Sequence, residues 1–328
     1  MAGPRLTRRA ALATGAAGLG LLAAAPAASA QPGFPDRPVT LVVPFPPGGS
    51  TDVMARLLAE RMAPLLGQPV LVENRPGAAT IVGAEAVARS APDGHTVLVN
   101  SGTTLTINPI LMRNLPYRPE SFAPVSLLAT LPFAFVVQNR LPATIPEFVA
   151  LAKSRPGQLN YGTNGPSSFN NIVAVLVSEA LGIKMQDVTY RGDSAQLNDF
   201  VAGTLDVLVV GGSSAIGPHR NGQGRILAWT GDRRMPFMPD IPIFAEAAPE
   251  AVGQTWFGLA VPARTPPAAI ERLSAAAAEA LREPSLRERL LGEGQFAVGS
   301  SPAEYAAFLD REMNRWRPLL QRMNIKVD

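Results

Sequence analysis

Short apolar runs recur at 39–43, 70–72, 96–99, 133–137, 159–161, 188–190, 206–210, 226–229 and 256–261, each bounded by Gly, Pro or polar residues. Their length and β-branched content predict strands. Between them the apolar period changes: Val53, Leu57, Leu58 and Leu65 recur at helical spacing before Gly67. Phe169, Ile172, Val173, Leu176, Val177, Ala180 and Leu181 do the same before Gly182. Further on, an Ala-rich helix is predicted over 268–281 and a short one from Pro284 to near Gly292. Ser301-Pro-Ala-Glu304 has the form of a capping box, opening a long helix with Tyr305, Phe308, Leu309 and Trp316 on one face. Strands alternating with helices predict an α/β fold of mostly parallel sheets flanked by helices. No repeat at solenoid spacing and no low-complexity linker divides the chain.

The first thirty residues break this pattern. Arg5, Arg8 and Arg9 precede an apolar Ala/Leu/Gly run, and Ala28-Ser29-Ala30 is a small-x-small cleavage site. That is the grammar of an export signal cut after Ala30, and Thr7-Arg8-Arg9 leaves both the twin-arginine and the general route open. The apolar run is too short to span a bilayer, which needs roughly 18–20 residues. The mature chain is therefore expected outside the cytoplasm.

Charge adds an exclusion. The 29 Lys and Arg exceed the 26 Asp and Glu by three, which is the number of arginines in the signal, so the remaining chain is neutral. A nucleic-acid partner or a polybasic membrane tether would need a basic footprint that survives cleavage. The chain has no cysteine, which excludes disulfides, thiol catalysis and thiolate zinc sites. Its two histidines, His95 in Pro-Asp-Gly-His and His219 after Gly217-Pro218, read as surface turns. Neither a metal nor a cofactor is expected.

The candidate chemistry lies in two loops. Val39 to Val43 runs into Pro44-Phe-Pro-Pro-Gly-Gly49 and then Ser50-Thr-Asp52, which can start a helix. A helix beginning there points unpaired backbone N–H groups and the positive end of its dipole at the glycines, a seat for a carboxylate or phosphate. Leu159-Asn-Tyr-Gly-Thr-Asn-Gly-Pro-Ser-Ser168 repeats that grammar. The bland alternative is a pair of ordinary helix caps. Neither loop has a nucleotide-binding Gly pattern, so phosphate cofactors are not expected. Gly211-Gly-Ser-Ser-Ala215 lacks the Gly-x-Ser-x-Gly form and a well-placed base, which leaves a serine hydrolase as a remote alternative. Asp52 either orders its own loop or faces the cleft, where it would favour a ligand with an ammonium group.

Val43-Pro-Phe-Pro-Pro-Gly-Gly-Ser-Thr-Asp52, Val72-Glu-Asn-Arg-Pro-Gly-Ala78, Ala91-Pro-Asp-Gly-His-Thr96, Tyr161-Gly-Thr-Asn-Gly-Pro-Ser-Ser168, Tyr190-Arg-Gly192, Phe257-Gly-Leu259 and Pro262-Ala-Arg-Thr-Pro266 stand in one order along nearly the whole chain after the signal. In these motifs the chain resembles the Bug (Bordetella uptake gene) family, periplasmic substrate receptors of tripartite tricarboxylate transporters. The resemblance implies a two-lobe Venus-flytrap fold of type II. Residues 31–131 with about 254–328 would form one lobe and about 132–253 the other, with the ligand cleft between them. It implies a monomer, no enzyme activity, a small carboxylate ligand and the permease subunits of such a transporter as partners. A sensor-kinase ectodomain is the alternative partner. Carried onto this chain, the ligand-binding residues would be Phe45, Gly49, Ser50, Thr51 and Asp52 from the first loop, and Thr163, Gly165, Ser167 and Ser168 from the second. Ser101 and Thr103 would add hydroxyls beside the first loop, and Ser213 would face the cleft. Where many relatives have His and Lys, this chain has Phe169 and Arg191. Phe169 is either core or pocket wall, and Arg191 pairs either with a distal ligand carboxylate or with Asp187 or Asp193.

Overall fold

The computed structural model describes residues 33–323, so the predicted export signal lies outside the described residues. The chain opens with β1 (Val39–Val43), α1 (Ser50–Leu66), β2 (Val70–Asn74), α2 (Ile81–Ala88) and β3 (Thr96–Ser101). A π-helical turn at Thr103–Ile107 leads into α3 (Asn108–Leu111) and then β4 (Phe122–Val137). Next come α4 (Ile145–Ser154), β5 (Asn160–Thr163), α5 (Phe169–Leu181), β6 (Gln186–Thr189), α6 (Asp193–Val201), β7 (Val207–Gly211), α7 (Gly212–Arg220) and β8 (Arg225–Trp229). The chain ends with β9 (Gln254–Pro262), α8 (Pro267–Arg282), α9 (Pro284–Gly292), β10 (Phe296–Ala297) and α10 (Pro302–Met323).

The strand order is β2-β1-β3-β9-β4-β7-β5-β6, with β8 and β10 also on β4. β1 pairs in parallel with β2 and β3, and β5 with β6 and β7. Every pairing of β4 and β9 is antiparallel. The expected parallel sheets are thus present in the outer strands, and the order reverses where the chain crosses between halves. β4 belongs to both sheets: its first part, to Pro132, lies on β9, and from Phe133 onward it lies on β7 and β8. The sequence pattern shows only 133–137 of this strand, because Pro124 and Pro132 interrupt the earlier part. Shifts in register against β9 on either side of Ser126 and Leu127 accommodate that irregular stretch.

The helix boundaries follow their sequence signals. Gly67 and Gly182 end α1 and α5 in the left-handed conformation at φ 72° and 63°. The Ser301 amide donates to the Glu304 carboxylate at 2.8 Å and the Glu304 amide to the Ser301 hydroxyl at 3.3 Å, which completes the capping box of α10. One apolar cluster packs α1 and α8 on β1, β3 and β9, and another packs α4 and α5 on β5 and β7. α10 serves both halves. Tyr305 sits with Trp256 of β9, while Trp316 and Leu320, fully buried, join the core around α5.

His95 departs from the surface position its turn suggested. It is 7% exposed, packs edge-on against Phe34, and lies 3.1 Å from Asp36 and 3.3 Å from Asp93. Among the described residues no helix is long and apolar enough to cross a membrane.

Candidate functional site

The loops that follow β1, β3, β5 and β7 meet at one cavity of about 100 Å³, at the carboxyl ends of these parallel strands. That is where open α/β sheets place ligands. Phe45, Gly49, Ser50 and Thr51 line it from the first loop, Ser101 and Thr103 from the end of β3, and Ser168 and Arg191 from the other half. Asp52, Thr163, Gly165, Ser167 and Ser213, also expected at the site, do not line it.

Gly48 takes φ +88°, which turns the first loop so that α1 begins at Ser50 with Gly49 as its cap residue. No side chain caps this helix, and the first internal bond runs from the Val53 amide to the Gly49 carbonyl at 3.0 Å. The amides ahead of Val53 therefore remain available to a ligand. Asp52 works behind the loop. Its carboxylate accepts the Gly48 amide at 3.0 Å, Arg56 Nε at 3.0 Å and Asn74 Nδ2 at 2.9 Å, and Asn74 also donates to the Phe45 carbonyl. Burial pushes the Asp52 pKa up, but the bonds from Arg56, Gly48 and Asn74 outweigh it and hold it below the ordinary aspartate value.

The second loop is held from within. Gly165 takes φ +105°, its amide donates to the Thr163 hydroxyl at 3.2 Å, and its carbonyl accepts the Ser168 hydroxyl at 2.5 Å. Thr163 and Gly165 thus shape the loop, and Ser167 is buried beside them. At the start of α5 the Phe169 amide donates to the Thr103 hydroxyl at 3.1 Å, so a residue of the first half already fills one donor of this helix. A second bond across the cleft joins the Ser50 and Ser213 hydroxyls at 2.5 Å.

The walls are apolar. Phe133, Phe169 and Phe257 line the cavity, and Phe169 also stacks on Phe133 and meets Trp316 edge-on, so it is both core and pocket wall. Gly102 is required under it, because a Cβ there would collide with the Phe169 ring. Thr255, 5% exposed, lines the cavity, and its buried hydroxyl has no hydrogen-bond partner among the described residues. Asp193 lines it as well. The sequence had marked Asp193 only as a possible partner for Arg191. A second space of about 530 Å³ adjoins the first across Phe45 and Arg191, bounded by the 76–80 loop.

A sequence profile described as the tripartite tricarboxylate transporter family receptor matches residues 54–325. The chain belongs to this family. The receptor is 32% identical to Protein BugT of Bordetella pertussis over 298 residues, 90% of this chain and 91% of that one. Its fold matches a solved structure of the periplasmic binding protein BugD with a TM-score of 0.84 at 28% identity, covering 89% of this chain and 99% of the other. MatC from Rhodopseudomonas palustris, solved with bound malate, matches with a TM-score of 0.81 at 32% identity, covering 88% and 100%. The architecture is the two-lobe periplasmic-binding-protein fold, and the chain is a solute receptor rather than an enzyme.

Proposed function

We propose that the protein is a periplasmic receptor that captures a small carboxylate between its lobes and delivers it to the permease of a tripartite tricarboxylate-type transporter. The observation that carries this reading is the start of α1, where uncapped amides at Ser50 and Thr51 open onto a cavity shared with the loops of the other half. Such amides favour a negative ligand without a cationic side chain, and in an apolar setting they bind it more strongly than in water. The malate bound by MatC fits that chemistry. Residues 31–131 with about 254–328 form one lobe and about 132–253 the other. The passage of β4 from one sheet to the other at Pro132 and Phe133 supports this division. Ser50, Thr51, Ser101, Thr103, Ser168 and Arg191 are the side of the site that meets ligand, while Asp52, Thr163, Gly165, Ser167 and Ser213 hold its loops.

A thermal-shift screen of small carboxylates on the mature chain tests the reading, since a ligand at about 100 times its Kd stabilises the folded state by about 2.7 kcal/mol. Ser50→Pro removes one amide and one hydroxyl at a helix position that tolerates proline. It should weaken binding about tenfold or more while the protein still folds. A screen in which no carboxylate raises the melting temperature would refute carboxylate capture.

A further inference from the structure

We propose that the solute carries a positively charged nitrogen in addition to its carboxylate, and that Asp193 is the group that meets this nitrogen. This rests on the carboxylate-receptor reading above and narrows it to zwitterionic ligands.

Asp193 is the first residue of α6 and lines the same cavity as Ser50 and Thr51. Its carboxylate accepts Asn164 Nδ2 at 3.0 Å on one oxygen and the Ser214 hydroxyl at 3.0 Å on the other. Gln196 Nε2 donates to Asn164 Oδ1 at 2.8 Å, which steadies the amide that holds Asp193. No cationic side chain among the described residues lies within 4.0 Å of this carboxylate; Arg191, two positions earlier, lines the cavity without pairing to it. Burial pushes the Asp193 pKa up, and the bonds from Asn164 and Ser214 only partly offset that. This half-buried carboxylate, held by neutral donors in the first turn of α6, gains further if a cation reaches it from the cavity.

The rest of the cavity fixes the polarity. Uncapped amides of α1 line the same cavity and supply a positive end for a carboxylate, while Asp193 supplies a negative charge for a cation. Thr255, which also lines this cavity, carries a buried hydroxyl with no hydrogen-bond partner among the described residues, an independent sign that a polar ligand completes the site. A plain dicarboxylate would bring a second negative charge toward Asp193, whereas an ammonium would satisfy it.

The test uses pairs that differ only by hydroxyl against ammonium: L-malate with L-aspartate, hydroxyglutarate with glutamate, and lactate with alanine, titrated by calorimetry into the mature protein. The amino member of at least one pair should bind about tenfold tighter or better. Asp193→Asn, which keeps the shape and removes the charge, should erase that preference by weakening the amino member more than the hydroxy member. The wild-type protein needs no variant to decide the first point, so poor folding of Asp193→Asn would not protect the proposal. If the hydroxy acids bind equally or more tightly, the proposal is overturned while the carboxylate receptor stands. If the preference survives in Asp193→Asn, Asp193 is not its source. If no carboxylate of either kind binds, both readings fall together.

Discussion

Asp52 shows how a residue can serve an anion site without touching the anion. Its bonds to Gly48, Arg56 and Asn74 fix the loop that exposes the α1 amides. Because its pKa is lowered on folding, the carboxylate adds stability that is complete above the ordinary aspartate value of about 3.9 and is lost as pH falls through its folded-state pKa. Asp52→Ala should therefore cost about 1–3 kcal/mol at pH 7, with the gap to the wild type closing in acid. Urea unfolding at a series of pH values measures this directly. Strain sits nearby: Ala78, Ala79 and Thr80 take φ of 44°, 50° and 78° in succession beside the larger space, with Asn108 Nδ2 holding the Ala79 carbonyl at 2.7 Å. Ala79→Gly should raise stability by about 1 kcal/mol, because a Cβ in the left-handed region costs roughly that much. At this scale the sequence identified the loops and left the orientation of their side chains undecided. Asp52 and Ser50 are neighbours along the chain, yet one faces the cavity and the other the Arg56 and Asn74 side chains, a choice made by tertiary partners 22 residues and more away.

The elements were legible wherever the cue is local. The glycine stops of α1 and α5 and the capping box of α10 depend on backbone conformations available only to certain residues, so their positions hold to within a residue or so. β4 was not legible over its first half because its regularity comes from pairing with β9, a strand more than a hundred residues later. β10, two residues long, exists only because β4 is there to receive it. His95 failed for the same reason: Phe34 and Asp36, far back in the sequence, bury the turn that carries it. Where the π-helical turn begins, Gly102 lets the Phe169 ring of the facing helix lie against the backbone. Gly102→Ala should destabilise the protein by about 1–3 kcal/mol through overpacking. It should also weaken ligand binding, because the Thr103 hydroxyl and the α5 amide it accepts would be pushed apart. Calorimetric titration beside a denaturation curve separates the two effects.

At the scale of the molecule, the bonds from Ser50 to Ser213 and from the Phe169 amide to Thr103 tie the halves beside the cavity. A solute between them adds contacts to both sides, so ligand affinity and closure are one equilibrium. Ser213→Ala removes a closing contact that does not line the cavity. It should lower ligand affinity by a factor of about 2–10, with the melting temperature of the ligand-free protein little changed. Titration of the variant against the best carboxylate of the screen checks it.

β4 runs through both sheets, and α10 buries Tyr305 in one core and Trp316 in another. Neither half can melt without tearing a strand and a helix out of its companion. Heating should accordingly yield one calorimetric transition whose enthalpy matches that of a unit spanning the entire receptor, not a staircase of two, and cutting the chain within β4 should abolish folding of both pieces.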